Sequence, residues 1–413
     1  MSSGTDPARG SGPFGGVSRR RLLGTLGAAA AVATVPAPAP PADPAPPDGP
    51  PSPSAGPSRG GADTARRPAG RRPLYLGTYT SVEGGGKGIG LAEYDAATGR
   101  VTGTGTVVEV DDPSYLAVHP DGRTLYCVAE REEGAVTAVR RSDGGRHEVL
   151  GTRATGGAAP CHLSVHPSGR WLLSAEYGSG SVAVHPVGAS GALGERTDRV
   201  VHSAPEPGPR QDGPHAHQVL TSPDGGHVLA VDLGTDTVYT YRLDGSAGTL
   251  RPVSRARTRP GSGPRHLAFH PGGRFAYLAN ELDDTVVVCG YDPATGRLTP
   301  GDPQPTGSGG GTNHPAQLVV TPDGAYAYLA NRGHDSLARY AVEADGARLR
   351  LLDTVPVRGG FPRHLALSPD GTLLFAANQR SGTVSVFSVG RDGGLGPAGE
   401  PFASPVAVCA LPL

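Results

Sequence analysis

The stretch Gly263–Val288, GPRHLAFHPGGRFAYLANELDDTVVV, returns further along the chain as Phe361–Val386, FPRHLALSPDGTLLFAANQRSGTVSV. Both copies run from an apolar segment through a proline–glycine turn into a second apolar segment. A polar loop then leads to a third. Aligning the chain on the turn finds the same unit six times. The turns are His119-Pro120-Asp121-Gly122, His166-Pro167-Ser168-Gly169, Ser222-Pro223-Asp224-Gly225, His270-Pro271-Gly272-Gly273, Thr321-Pro322-Asp323-Gly324 and Ser368-Pro369-Asp370-Gly371. Proline pre-sets φ at the first turn position and glycine supplies a positive φ later, so each turn closes a hairpin.

The proline-to-proline steps are 47, 56, 48, 51 and 47 residues. A period near fifty, made of strands with no helical pattern, predicts an all-β β-propeller with one four-stranded antiparallel blade per period. A part-unit begins at Leu74 with LYLGTYT and GIGLAEYD but lacks its first strand, and an orphan strand, SPVAVCALPL, ends the chain from Ser404. Pairing the two makes a seventh blade and closes the ring, which removes exposed sheet edges. Residues 73–413 are therefore read as one seven-bladed propeller.

The residues before it are of another kind. Ser18-Arg19-Arg20-Arg21-Leu22-Leu23 and the uncharged stretch to Val35 read as an export signal over residues 1–40. The arginines resemble a twin-arginine signal, so a secreted or cell-envelope protein is expected. No cysteine follows that stretch, and no stable membrane anchor is expected. Residues 41–72, rich in Pro, Ala and Gly, read as a disordered linker. Lys+Arg 37 against Asp+Glu 38 leaves a net charge of −1 and no basic field for nucleic acid. A monomer is expected. The four cysteines, Cys127, Cys161, Cys289 and Cys409, lack metal-ligand spacing and mostly sit in apolar runs, so no disulfide, metal or cofactor is assigned.

Comparing repeats separates two kinds of position. His119, His166 and His270 precede the turn proline where other units carry Ser222, Thr321 and Ser368, so they are read as turn residues bonding local backbone. Six residues before the proline stand Ser114, Cys161, His217, Arg265, Ala316 and Arg363, and five before it Tyr115, His162, Gln218, His266, Gln317 and His364. Nine and ten after it stand Ala129-Glu130, Glu176-Tyr177, Asp232-Leu233, Asn280-Glu281, Asn331-Arg332 and Asn378-Gln379. Antiparallel pairing places both sets at one end of the ring, around the mouth of the central channel. Their charge stands out in a chain only 18% charged, and the site is expected there.

These residues also carry a family resemblance. YLGTYTSVEGGGKGIGLAEYD, PCHLSVHPSG, AEYGSGSVAV, PHAHQVLTSPDG, GPRHLAFHP, ANELDDTV, NRGHDSL and FPRHLALSPDG look like the seven-bladed propeller lactonases, the 6-phosphogluconolactonase and muconate-cycloisomerase-like family. The resemblance implies opening or closing of a lactone ring, in the first case by metal-free hydrolysis, on a small-molecule lactone or sugar-acid substrate, with His217, Arg265 and Glu281 as catalytic residues and Arg332 beside them. By residue type, His217 suits a general base, Arg265 an oxyanion partner, and Glu281 an acid if its pKa is raised. Arg332 and Arg363 suit an anion clamp, and His162, Glu176 and His266 are added as substrate-binding candidates. Gln317 and Val319 depart from the family, which often has an acid and a histidine there; a specificity change is expected. Two rivals stand beside this reading. One is a non-catalytic exported propeller that binds a ligand or protein. The other is a metal-dependent lactonase with Glu176, Asp232, Asn280, Asn331 and Asn378 around Ca²⁺.

Overall fold

The computed structural model describes residues 70–142, 147–203 and 211–413. The expected export signal and nearly all of the expected linker lie outside the described residues. The described chain forms seven antiparallel sheets arranged as the blades of a propeller. In chain order, blade 4 is typical: Pro264–Phe269 innermost, then Phe275–Asn280, Thr285–Asp292 and Arg297–Pro305 outermost. Blade 6 differs only in its outer strand, split into Leu395–Pro397 and Phe402–Ala403.

The seventh blade forms as expected. Ala407–Pro412 pairs antiparallel with Arg71–Thr78, from Leu74↔Pro412 to Thr78↔Ala407, and is that blade's innermost strand. The strand begins at Arg71, inside the stretch read as linker, because Arg71 and Arg72 continue the ladder opposite Asp95 and Tyr94. The innermost strands touch their neighbours in an unbroken circle.

The core follows from this geometry. Seven apolar clusters fill the gaps between successive blades. In Phe275–Asn280, Ala276 and Leu278 pack toward blade 3, whereas Tyr277 and Ala279 pack toward blade 5. Successive strand side chains point to opposite faces, and here both faces are covered. That is why these strands read as continuous apolar runs. Full burial of one such Leu or Val side chain stabilises by about 1.5–3 kcal/mol. The four cysteines are free and buried in these strands, and burial pushes the Cys127, Cys289 and Cys409 thiols up to about 12.

All six turns have one geometry: the glycine N–H donates to the carbonyl three residues back, at 2.8–2.9 Å, and every such glycine has φ between 68° and 76°. The turn histidines do more than bond locally. His119 Nε2 lies 2.9 Å from the Gly169 carbonyl and His166 Nε2 3.3 Å from that of Gly225, each in the next blade's turn. His270 likewise bonds Gly324. They staple neighbouring blades at the end of the ring opposite the candidate site.

Candidate active site

The inner strands are interrupted where the site is built. Blades 2, 3, 4 and 6 pair Pro160↔Glu176, Ala216↔Asp232, Pro264↔Asn280 and Pro362↔Asn378, and the next pairs start two residues on, at His162, Gln218, His266 and His364. The skipped residues are Cys161, His217, Arg265 and Arg363, all six before the turn proline. A bulge frees a residue from the ladder and re-aims its side chain. Blade 5 skips Ala316 and Gln317 together.

A second device holds the residues ten after the proline. The backbone N–H groups of Glu130, Tyr177, Leu233, Glu281 and Gln379 each donate to a carbonyl just ahead of the inner strand, on Asp112, Ala159, His215, Gly263 and Phe361. Four of those acceptors sit at positive φ: Asp112 at 39°, Ala159 at 50°, Gly263 at 60° and Phe361 at 63°. For the non-glycine members this conformation costs about 1–2 kcal/mol each. Such strain persists only where surrounding contacts over-determine it, and it gathers at functional sites.

Glu281 anchors one half of the site. Its Oε2 lies 2.9 Å from Arg265 Nε and 2.5 Å from Arg332 Nη2, all three side chains being buried. Arg332 is further fixed by its Nε bond of 3.0 Å to the His314 carbonyl, and its guanidinium lies 5.3 Å from the Phe361 ring centre. Burial pushes the Glu281 carboxyl up, but Arg332 and Arg265 together hold it below the ordinary value. The condition for Glu281 as a general acid is therefore not met: it is an ionised carboxylate that aligns two arginines. Burial, and then repulsion from Arg332, weaken the hold of Arg265 on its proton, and its Nη2 has no hydrogen-bond partner among the described residues.

The other half joins blades 6, 7 and 1. Arg363 Nη2 donates to Tyr79 Oη at 2.6 Å, and Nη1 to Gln379 at 3.1 Å. Tyr79 Oη and Ser114 Oγ both donate to Glu130 Oε2, at 2.9 and 2.5 Å. Burial raises the Glu130 carboxyl above its ordinary value despite Arg363. The buried arginines thus form the floor, while Tyr79, Glu130, Tyr177 and Gln379 are half-buried at the rim.

His217 stands on the floor, with its ring 4.9 Å from that of His266 and edge-on to Tyr177 at 5.8 Å. Burial, then Arg265 and Arg363, drive its pKa well below the usual imidazole value, so the ring is neutral. Neither ring nitrogen has a hydrogen-bond partner among the described residues.

The remaining candidates are placed differently. His162 Nδ1 lies 3.4 Å from the Val219 N–H and His364 Nδ1 3.4 Å from that of Ala410, each in the next blade. Gln218 exchanges two hydrogen bonds with Leu267. Residues five before the proline thus bridge inner strands, and His266 sits among them with Nδ1 3.4 Å from Arg265 Nη1. Glu176, nine after the proline, turns into its own blade and accepts from Ser174 and Ser181 at 2.6 and 2.9 Å. Burial lifts its pKa to about 8. Asp232 is held by His202, His215 and Thr235, and Asn331 by Asn313 and Ser336. The five residues considered as a Ca²⁺ ring therefore point into separate blades, and among the described residues no three His, Cys, Asp or Glu side chains group as a metal site. Val319 packs in the cluster between blades 5 and 6, away from the arginines.

Sequence reasoning gave Glu130 no role, although it stands in the register of Glu281. Tyr79 belongs to the one blade without the aligned turn, so repeat comparison had no way to find it.

Residues 73–412 match the family model described as lactonase, 7-bladed beta-propeller. A 6-phosphogluconolactonase of Bacillus subtilis is 33% identical over 299 residues, 70% of this chain and 83% of that protein. The structure of a periplasmic gluconolactonase from Pseudomonas aeruginosa matches with TM-score 0.78 and 33% identity, over 83% of this chain and 99% of that one. A protein from Lactobacillus plantarum matches with TM-score 0.78 and 31% identity, over 83% of this chain and 99% of that one.

Proposed function

Because the chain belongs to the seven-bladed β-propeller lactonases, we propose that it hydrolyses a sugar-acid lactone, in the manner of a 6-phosphogluconolactonase, at the mouth of the propeller channel. The observation that carries this reading is the floor itself. Arg265, Arg332 and Arg363 are buried around a neutral His217, and Arg265 and Arg332 share one ionised carboxylate, Glu281. Such a site is electropositive and calls for an anion. In lactone hydrolysis that anion is first the tetrahedral oxyanion and then the product carboxylate.

Each step has a group suited to it. Water attacks the lactone carbonyl and gives its proton to a ring nitrogen of His217, which is neutral and able to accept it. The oxyanion forms against Arg265, whose Nη2 has no hydrogen-bond partner among the described residues. Glu281 keeps Arg265 and Arg332 aligned, so little reorganisation is needed as charge develops. The half-buried rim gives the substrate its approach.

The test is a panel of lactones that includes glucono-δ-lactone, 6-phosphoglucono-δ-lactone and an acyl-homoserine lactone. Ring opening is followed by pH-stat, with the His217→Ala protein as background. Opening of a sugar-acid lactone above that background supports the reading, and no opening of any lactone overturns it.

We also propose export by the twin-arginine route. Arg19-Arg20 and the uncharged stretch behind them support it, as does the periplasmic description of the Pseudomonas relative. Changing both arginines to lysine should hold precursor in the cytoplasm; unimpaired export would sink the route.

A further inference from the structure

The site holds two carboxyl groups in contrasting surroundings, and the reaction just described uses only one. Opening a lactone breaks the bond between the acyl carbon and the ring oxygen, and that oxygen leaves as an alkoxide. An aliphatic alkoxide is a poor leaving group unless it is protonated as it departs. His217 receives a proton in the first step, and Glu281 has none to give. Its Oε2 meets two guanidinium groups.

Glu130 is arranged otherwise. Both donors that reach it, Ser114 Oγ and Tyr79 Oη, bond to Oε2. Among the described residues no hydrogen bond reaches Oε1, and Arg363 Nη2 lies 3.9 Å from it. The side chain is only 9% exposed and lies in blade 1, across the ring from Glu281 in blade 4. The groups facing it are Tyr79 from blade 7, Asp112, which opposes its ionisation, Arg363 from blade 6, which favours it, and Cys161 from blade 2. The Arg363 charge also acts on His217, so Glu130 and the base share one cationic neighbour.

We propose that Glu130 is the general acid of the reaction, donating the proton on Oε1 to the departing ring oxygen, with Tyr79 and Ser114 as positioning residues that fix its orientation through Oε2. The inference rests on the lactonase reading above. The water oxygen bonds to the acyl carbon, and one water proton goes to His217. The acyl–oxygen bond breaks, and the ring oxygen takes the Glu130 proton. Transfer of the imidazolium proton back to Glu130 through solvent restores both groups. The sum is lactone plus water to hydroxy acid. Two carboxyl groups whose environments push their proton affinities apart are the usual arrangement for divided roles at one site.

The test uses Glu130→Gln in the full chain, against two substrates that differ in the leaving oxygen. One is the sugar-acid lactone that the wild type opens; the other is the phenolic lactone dihydrocoumarin. A phenol leaves without protonation and needs no acid. Gln keeps an oxygen to accept from Ser114 and Tyr79. The expected result is a fall of about 10²–10⁴-fold in kcat on the aliphatic lactone, with turnover of dihydrocoumarin retained within a few-fold. That retained turnover also shows the variant is folded. An equal loss on both substrates, or no loss on the aliphatic one, overturns the acid role while leaving the lactonase reading intact. A wild type that opens neither lactone overturns both.

Discussion

The two ends of the ring are built on opposite rules. At the turn end, six turns share one hydrogen bond and one glycine conformation, and the position before the proline accepts His, Ser or Thr. At the other end, the skipped residue is Cys161, His217, Arg265 or Arg363 depending on the blade, and each has a different set of contacts: Arg265 meets Glu281, whereas Arg363 meets Gln379 and Tyr79. Repetition makes a ring whose blades are interchangeable. Departure from repetition, at positions the ladder releases, makes an asymmetric cluster of charged and polar side chains.

The contrast can be broken at its root. Removing Ser404–Leu413 deletes the innermost strand of blade 7 and exposes the edge of Arg71–Thr78. Both ends should be lost together: the truncated protein is expected to aggregate, with no cooperative melting transition. A truncated protein that melts like the intact one would show the ring does not depend on closure.

The next effect should separate the ends. His217→Ala is expected to lower turnover by about 10²–10⁴-fold and leave the melting temperature nearly unchanged, since its ring nitrogens have no hydrogen-bond partner among the described residues. A large fall in stability would make His217 part of the fold.

Glu176 sharpens the boundary from inside a blade. Its folded-state pKa is raised to about 8, whereas an unfolded glutamate titrates near about 4.3. Between those values the folded protein holds a proton that the unfolded chain has released. Stability therefore falls as pH rises through this window, by at most roughly 1.4 kcal/mol per unit, and levels off above it. In Glu176→Gln that part of the slope should vanish, as seen in melting temperatures from pH 5 to pH 8. An unchanged slope would mean Glu176 is ionised in the fold.

The smallest effect belongs to the turn end. His270→Ser should leave activity untouched and cost about 1 kcal/mol, the worth of the bond to Gly324. Loss of activity in this variant would undo the sorting of histidines by repeat position.

Much of the fold was legible because a blade must satisfy the same local chemistry each time. The proline–glycine turns, the apolar strands and the orphan strands at the two ends led directly to seven blades and their closure. The site was legible only in outline. Glu176 and Tyr177 are neighbours in sequence, and both vary between blades, so both looked like mouth residues. Adjacent residues at a strand end point opposite ways: Glu176 turns in to Ser174 and Ser181, and Tyr177 turns out to His217. Variation between repeats marks clamps as well as site residues, and parity along the strand tells them apart. Nothing in the linear order shows that Tyr79 meets Arg363, because that contact exists only once the ring is shut.

The seam of blade 7 also sets a schedule. Among the described strands, the earliest in the chain, Arg71–Thr78, finds its inner partner in the latest, Ala407–Pro412. During synthesis, six blades can pair before the seventh acquires its central strand. Tyr79, which continues from that first strand, reaches Arg363 only across the closing gap. The half of the candidate site that depends on it is thus completed only when Ala407–Pro412 has been made, and a partly made chain has a scaffold before it has that cluster.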